Sequence, residues 1–284
     1  MRLTIRDIQK MRAESQPITM LTAYDAASAR LAEAAEVPMI LVGDSLGMVI
    51  QGRDSTIPVR LEHMIYHAEI VARVTTRSLI VADLPFMTYA TQEQGLASAA
   101  RLMQEAQVSA VKLEGGAHFA PIIRSIVDCG IPVMAHIGLT PQSVNAFGGF
   151  RVQGKDLDPA RQLLRDAKAI EEAGAFAVVL ELVPTKLAAL ITEILHIPTI
   201  GIGAGAGCSG QVQVFHDLLG LYSEFLPRHA RRYANLGDAA RDAIAHYRDD
   251  VSARRFPTDE HSFTMSDAVI ETLRSEIHEG HLIH

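Results

Sequence analysis

Nine polar side chains stand where short apolar runs end: Tyr24 and Asp25, Asp44 and Ser45, Asp83, Lys112 and Glu114, His136, and Glu181. Asp44 and Asp83 supply hard carboxylate oxygens of the kind Mg²⁺ takes, one or two carboxylates with the remaining positions left to water and substrate oxygens. Glu114 follows Lys112 by two residues and so lies on the same side of an extended segment. It reads as a third metal ligand, as the holder of a metal-bound water or as the ion-pair partner of Lys112, and the spacing admits all three. Lys112 either neutralises the acids or binds a substrate carboxylate as a point charge. Glu181 lies among Leu180, Leu182 and Val183. Apolar flanks raise a carboxylate toward the range of a general base, whereas an Arg or Lys partner would make it structural. His136 reads as a proton relay, an anion contact or a satisfied core histidine. Any one of these acids has a plain explanation as a helix cap or turn residue. Six run ends carrying such groups together point to a site. A soft metal finds nothing here, because there is no HExxH, no cysteine cluster and no close histidine pair in this region.

Chain elements must bring these positions to one place. Eight apolar runs qualify as strands: ITMLTAY, MILVGDS, LIVADLPF, AVKLEGG, PVMAHIGL, FAVVLELV, PTIGIGAG and QVQVFHDLL. Between most of them lie helical segments such as AASARLAEAAE, TQEQGLASAARLMQEAQ and PARQLLRDAKAIEEAG. Strands alternating with helices imply a parallel sheet, and runs that are apolar throughout imply burial on both faces. A repeated pattern, as in QEAQVSAVKLE and EEAGAFAVVLE, suits a closed (β/α)8 barrel, whose strands' C-terminal ends converge on one face. An open doubly wound sheet is the alternative. QVQVFHDLL reads equally as the start of a helix. From Leu226 onward dense charge at helical spacing reads as an exposed or interface helix. The expected organisation is one domain over 1–263 and a tail over 264–284, with His278, His281 and His284 solvated.

The totals narrow the class. With 284 residues, 48% of them hydrophobic, the chain can bury a large core. A net charge of −7 disfavours nucleic acid as a partner. No apolar run has the length of a signal peptide or a bilayer span. The two cysteines, Cys129 and Cys208, form no disulfide framework and suit a reducing cytoplasm. GIGAGAGCSG contains G-x-G-x-x-G, but no strand ending in an acid follows it as a dinucleotide fold requires. Close approach of the backbone to a ligand or a neighbouring loop is the better reading.

At these same residues the sequence resembles the ketopantoate hydroxymethyltransferase family, from about Leu3 to Phe263. The blocks that carry the resemblance include TAYDA, VGDSLGMV, DSTIPV, MIYHAEIV, ADLPFMTY, VKLEGG, AHIGLTPQSVNAFGGFRVQGK, GIGAG and FPTDEHSF. The resemblance implies a single (β/α)8 TIM barrel of the phosphoenolpyruvate/pyruvate-like type that uses Mg²⁺. It implies hydroxymethyl transfer from 5,10-methylenetetrahydrofolate to 3-methyl-2-oxobutanoate, forming ketopantoate for pantothenate synthesis. Position by position it implies metal ligands at Asp44, Asp83 and Glu114, oxo-acid contacts at Ser45, Asp83 and Lys112, and a proton acceptor at Glu181. By their place Asp44 and His136 belong to the same substrate pocket. The resemblance further implies a cytoplasmic homo-oligomer, commonly a decamer. Two departures stand out: Ser209 where the family usually has Asp, and Ile50-Gln51-Gly52 after LGMV. The nearest alternative activity is a Mg²⁺-dependent lyase that cleaves or forms C–C bonds in oxo acids on a related barrel. A barrel that binds without turnover is a second alternative, against which Glu181 beside both aspartates argues.

Overall fold

Runs of Ile, Val and Leu without polar alternation have to be covered on both sides, and a sheet closed on itself and ringed by helices does this. The computed structural model describes residues 1–149, 151–222 and 227–281. His284 and Phe150 lie outside the described residues. Eight parallel strands form a closed barrel in sequence order: β1 (Ile18–Thr22), β2 (Met39–Val42), β3 (Leu79–Asp83), β4 (Ala110–Glu114), β5 (Val133–Gly138), β6 (Ala177–Glu181), β7 (Thr199–Ile202) and β8 (Gly210–Gln213). The barrel closes through β1 and β8, where Ile18 aligns with Gly210 and Met20 with Val212. All eight expected strands form. The segment QVQVFHDLL divides, its first part extending β8 and Phe215–Leu219 becoming a short helix.

Alternation along each strand separates two cores. Met39, Leu41, Leu79, Val81, Ala110, Met134, Ala177, Val179 and Ile200 fill the barrel interior, together with Ile8 from helix Ile5–Ala13. Their strand neighbours Ile40, Val42, Ile80, Ala82, Val111, Ala135, Val178 and Leu180 face the surrounding helices. Ile8 is fully buried, which contributes about 2 kcal/mol by area alone.

The connection from β7 to β8 is the seven-residue stretch Gly203–Ser209, which contains no helix. It runs against helix Thr185–Ile194: a Cβ at Gly207 would lie 2.9 Å from that of Ala189, and one at Gly205, where φ is +84°, would collide with Thr185. The glycine run therefore admits close backbone approach to a helix.

Contacts group the described residues into two compact units, Met1–Ala234 and Asn235–His284. The charged helix, Leu236–Ser252, thus groups with the tail rather than with the expected 1–263 unit, and it buries no side chain of its own. The tail carries a further helix, Asp267–His278.

Candidate active site

Strand parity carries polar side chains into the upper barrel. On β3 the inward positions read Leu79, Val81, Asp83; on β4, Ala110, Lys112, Glu114; on β5, Met134, His136; on β6, Ala177, Val179, Glu181. Each series is apolar at the N-terminal end and polar at the C-terminal end. Register then sets neighbours across strands, with Asp83 opposite Lys112 and Glu114 opposite His136. Gly138 faces Glu181, and at its φ of +93° a Cβ would strike the Glu181 carbonyl, so glycine is needed to let β6 present its carboxylate.

Lys112 Nζ lies 2.5 Å from Asp83 Oδ1, and both side chains are buried. The other oxygen of Asp83 accepts from the backbone N–H of Asp44 at 3.0 Å. Asp44 Oδ2 accepts from Gln142 Nε2 at 2.8 Å, and the Gln142 backbone N–H donates to Glu114 Oε2 at 2.9 Å. His136 lies between two acids, its Nδ1 3.6 Å from Glu114 and its Nε2 3.2 Å from Glu181. Neither approach has hydrogen-bond alignment. Glu181, with 13% of its side chain exposed, is the most accessible of these five ionisable side chains and of Asp44, which is 4% exposed as a residue. Ser45 Oγ is 2.8 Å from the hydroxyl of fully buried Tyr24. Asp25 stands apart: exposed, it accepts from the Ser28 N–H at 2.7 Å and caps helix Ala26–Ala34.

Four carboxylates thus share one ammonium and one imidazole. Burial, reinforced by the charge of Asp83, pushes Asp44 up to about 7, although Lys112 opposes it. Burial and Asp44 push Glu114 well above its ordinary range. Burial would lower Lys112, but Asp83, Glu114 and Asp44 outweigh it and hold the ammonium charged. His136 is lowered by burial and stays neutral. An excess of buried negative charge is the environment a hard dication relieves. Only one ammonium, that of Lys112 on Asp83 Oδ1, offsets these acids directly. The donor set fits Mg²⁺ through Asp44 and Asp83. Among the described residues no three His, Cys, Asp or Glu side chains are arranged so as to hold a metal ion by themselves, and Gln142 bridges Glu114 to Asp44.

Sequence reasoning passed over Gln142 and Tyr89, both buried within this network. Their blocks, GLTPQS and PFMTYA, are visible in the sequence, but neutral residues in loops carry no charge signal. The departures sit away from the acids. Ser209 pairs with Thr199 at the N-terminal ends of β7 and β8, and Ile50, ending helix Leu46–Val49, is 41% exposed. No helix among the described residues is long and apolar enough to cross a membrane.

Known proteins share both sequence and fold. A 3-methyl-2-oxobutanoate hydroxymethyltransferase of Chloroflexus aggregans is 58% identical over 99% of this chain and 100% of its own length. One from Gluconacetobacter diazotrophicus is 56% identical over 97% and 100%. Among solved structures, phosphoenolpyruvate phosphomutase from Streptomyces platensis subsp. rosaceus matches with a TM-score of 0.59 at 17% identity, covering 98% of each chain. 2,3-Dimethylmalate lyase of the PEP mutase/isocitrate lyase superfamily matches at 0.57 and 16%, covering 98% of this chain and all of that one. Phosphonopyruvate hydrolase in complex with oxalate and Mg²⁺ matches at 0.55 and 13%, covering 98% of each chain. These three share the barrel. The family described as ketopantoate hydroxymethyltransferase matches residues 2–259, the span that supplies every strand and every acid above, and it is to this family that the chain belongs.

Proposed function

We propose that the protein transfers a hydroxymethyl group from 5,10-methylenetetrahydrofolate to 3-methyl-2-oxobutanoate, forming ketopantoate, with Mg²⁺ as its metal. The observation that carries the reading is the buried carboxylate group around Asp44 and Asp83, in a chain 58% identical to a hydroxymethyltransferase of that name. Asp44, Asp83 and Glu114 would hold Mg²⁺. Bound there, Mg²⁺ would polarise the keto group of the oxo acid and make its neighbouring C–H acidic. Phosphonopyruvate hydrolase, a barrel solved in complex with oxalate and Mg²⁺, supports a small carboxylic acid together with such a metal.

The chain's own residues then divide the work. The ammonium of Lys112, held charged by three acids, binds the substrate carboxylate while keeping its contact with Asp83. Ser45, 2.8 Å from the Tyr24 hydroxyl, donates to the oxo acid. Glu181 accepts the proton from carbon 3. Neutral His136, 3.2 Å away, takes part in moving the proton onward. Carbon 3, now carrying the electron pair, bonds to the folate methylene carbon; both C–N bonds to folate break, water leaves its OH on that carbon, and the two folate nitrogens take up the proton from carbon 3 and the remaining proton of water.

The protein would act as a cytoplasmic homo-oligomer, a decamer by family resemblance. Two free cysteines, one of them exposed, suit a reducing compartment. Leu236, Ile244, Tyr247 and Val251 expose one apolar stripe on helix Leu236–Ser252, and sedimentation velocity finding only monomer at micromolar concentration would contradict assembly. The activity is tested by mass spectrometry of the product from methylenetetrahydrofolate and 3-methyl-2-oxobutanoate. Ketopantoate should form with Mg²⁺ and not in EDTA; cleavage of an oxo acid without folate consumption would favour a lyase.

A further inference from the structure

Two neutral residues tie the acids of the site together. Gln142 lies on the short turn Pro141–Ser143 after β5, with 4% of its surface exposed. Its backbone N–H donates to Glu114 Oε2 at 2.9 Å. Its side-chain Nε2 donates to Asp44 Oδ2 at 2.8 Å and to the Leu84 carbonyl at 3.0 Å, while Oε1 accepts from the Tyr89 hydroxyl at 2.5 Å. That hydroxyl accepts in turn from the backbone N–H of Glu114 at 3.3 Å. The partners fix which way the amide points, because a carbonyl such as that of Leu84 can only accept and so must meet the nitrogen. The groups joined in this way come from the ends of, or loops after, β2, β3, β4 and β5.

The choice of glutamine follows from charge. Lysine or arginine at this position would neutralise Asp44, as Lys112 does Asp83, and would compete with a cation for it. Glutamate would add a further negative charge beside two buried acids. An apolar side chain would leave Asp44 Oδ2 and the Leu84 carbonyl without a donor, and a buried polar group left unpaired is costly. A neutral amide with two N–H groups orients the carboxylate and leaves its charge available.

We propose that Gln142 is a positioning residue for the divalent cation: by bridging Asp44 and Glu114 it sets the spacing of two carboxylates without spending their charge, and Tyr89 locks its amide. The inference rests on the reading that Asp44 and Asp83 hold Mg²⁺. Gln142 holds the carboxylates in place and does not itself touch the reacting atoms.

The test is Mn²⁺ titration of the EDTA-stripped full-length protein, followed by the electron paramagnetic resonance of free Mn²⁺. Gln142→Met should weaken Mn²⁺ about 10- to 100-fold, the scale of a lost partner behind a metal ligand. Tyr89→Phe keeps the ring against Phe119, with centroids 5.4 Å apart, and should weaken Mn²⁺ about 3- to 10-fold, the scale of one hydrogen bond. The double variant should bind no more weakly than Gln142→Met, since Tyr89 acts through Gln142. Thermal unfolding in EDTA establishes that each variant is folded, and should Gln142→Met fail to fold, Tyr89→Phe decides. Unchanged Mn²⁺ affinity in the folded variants overturns the inference, as does a double variant whose loss is the product of the two single losses. A parent protein that binds no Mn²⁺ overturns the underlying metal reading, and this inference with it.

Discussion

Carboxylates at the two ends of the barrel are treated in opposite ways. At the N-terminal end, Glu33 accepts from the backbone N–H groups of Thr76, Arg77 and Ser78 at 2.7, 2.6 and 3.2 Å, just before β3. Burial alone would raise its pKa, but the three donors outweigh burial and hold it below the ordinary value. Glu171 repeats the arrangement four strands later, accepting from His196 and Ile197 before β7 and from Lys168. Arginines complete this end: Arg2 donates to the Ala72 and Thr75 carbonyls at the end of helix Leu61–Val74, and Arg12 to the Thr192 carbonyl in helix Thr185–Ile194. At the C-terminal end Asp44 has one side-chain donor, and burial beside Asp83 pushes it up to about 7. The same chemical group is satisfied where it staples loops and left wanting where a ligand would complete it. Burial and donor count together separate Glu33 and Glu171, partly exposed with three donors each, from Asp44, buried with one side-chain donor.

Substitutions can separate the two roles. The largest effect is expected at Glu181: Glu181→Gln keeps the shape but accepts no proton. Deuterium exchange at carbon 3 of 3-methyl-2-oxobutanoate, in D₂O with Mg²⁺ and without folate, should fall ~10²- to 10⁴-fold. Oxo-acid affinity and thermal stability should stay close to the parent's. Exchange at the parental rate would move the proton acceptor to another residue, His136 first. Next in size, Asp44→Asn removes a buried charge that the metal-free protein does not compensate. Chemical denaturation at pH 8 in EDTA should show the variant more stable by about 1–3 kcal/mol, even as Mg²⁺ binding is lost. A loss of stability there would mean that Asp44 is satisfied as Glu33 is, and the contrast between the two ends would fail.

Much of this was legible before the fold was known, for reasons particular to parallel barrels. Runs such as MILVG and LIVAD are apolar throughout because both faces are covered, so the point where polarity begins marks the C-terminal end and therefore the site. Spacing by two placed Lys112 and Glu114 on one side, and the structure puts both inside. The echo between EEAGAFAVVLE and other units reflects repeated packing, and its first glutamate is Glu171, one of the two loop staples. What stayed hidden depended on contacts distant in sequence. Gln142 meets Asp44 across 98 residues, a pairing set by barrel closure that no local pattern reports. Asp25 lies beside Tyr24 in sequence, yet strand parity and a helix start turn it outward as a cap. The glycines of GIGAG were readable as a close approach, but not as one to helix Thr185–Ile194.

The smallest expected effect sharpens the comparison from the other end. Glu33→Gln keeps an acceptor for the Thr76–Ser78 backbone and loses only the charge that strengthens those bonds, so it should cost about 1 kcal/mol at pH 7. The sign with pH follows from linkage. Because the folded protein holds Glu33 below its ordinary 4.5, its contribution is fully present above that value and is lost as pH falls through the lower folded value. Urea denaturation of both proteins should therefore show a gap that is constant from pH 7 to about pH 5 and closes below it. Deuterium exchange should be unaffected throughout, since Glu33 lies at the opposite end of the barrel from Asp44, Asp83, Glu114 and Glu181. A gap that widened on acidification would mean that Glu33 takes up a proton on folding, as Asp44 does. The two ends would then differ in position alone, and the number of backbone donors would not predict which acids hold the fold and which await a ligand.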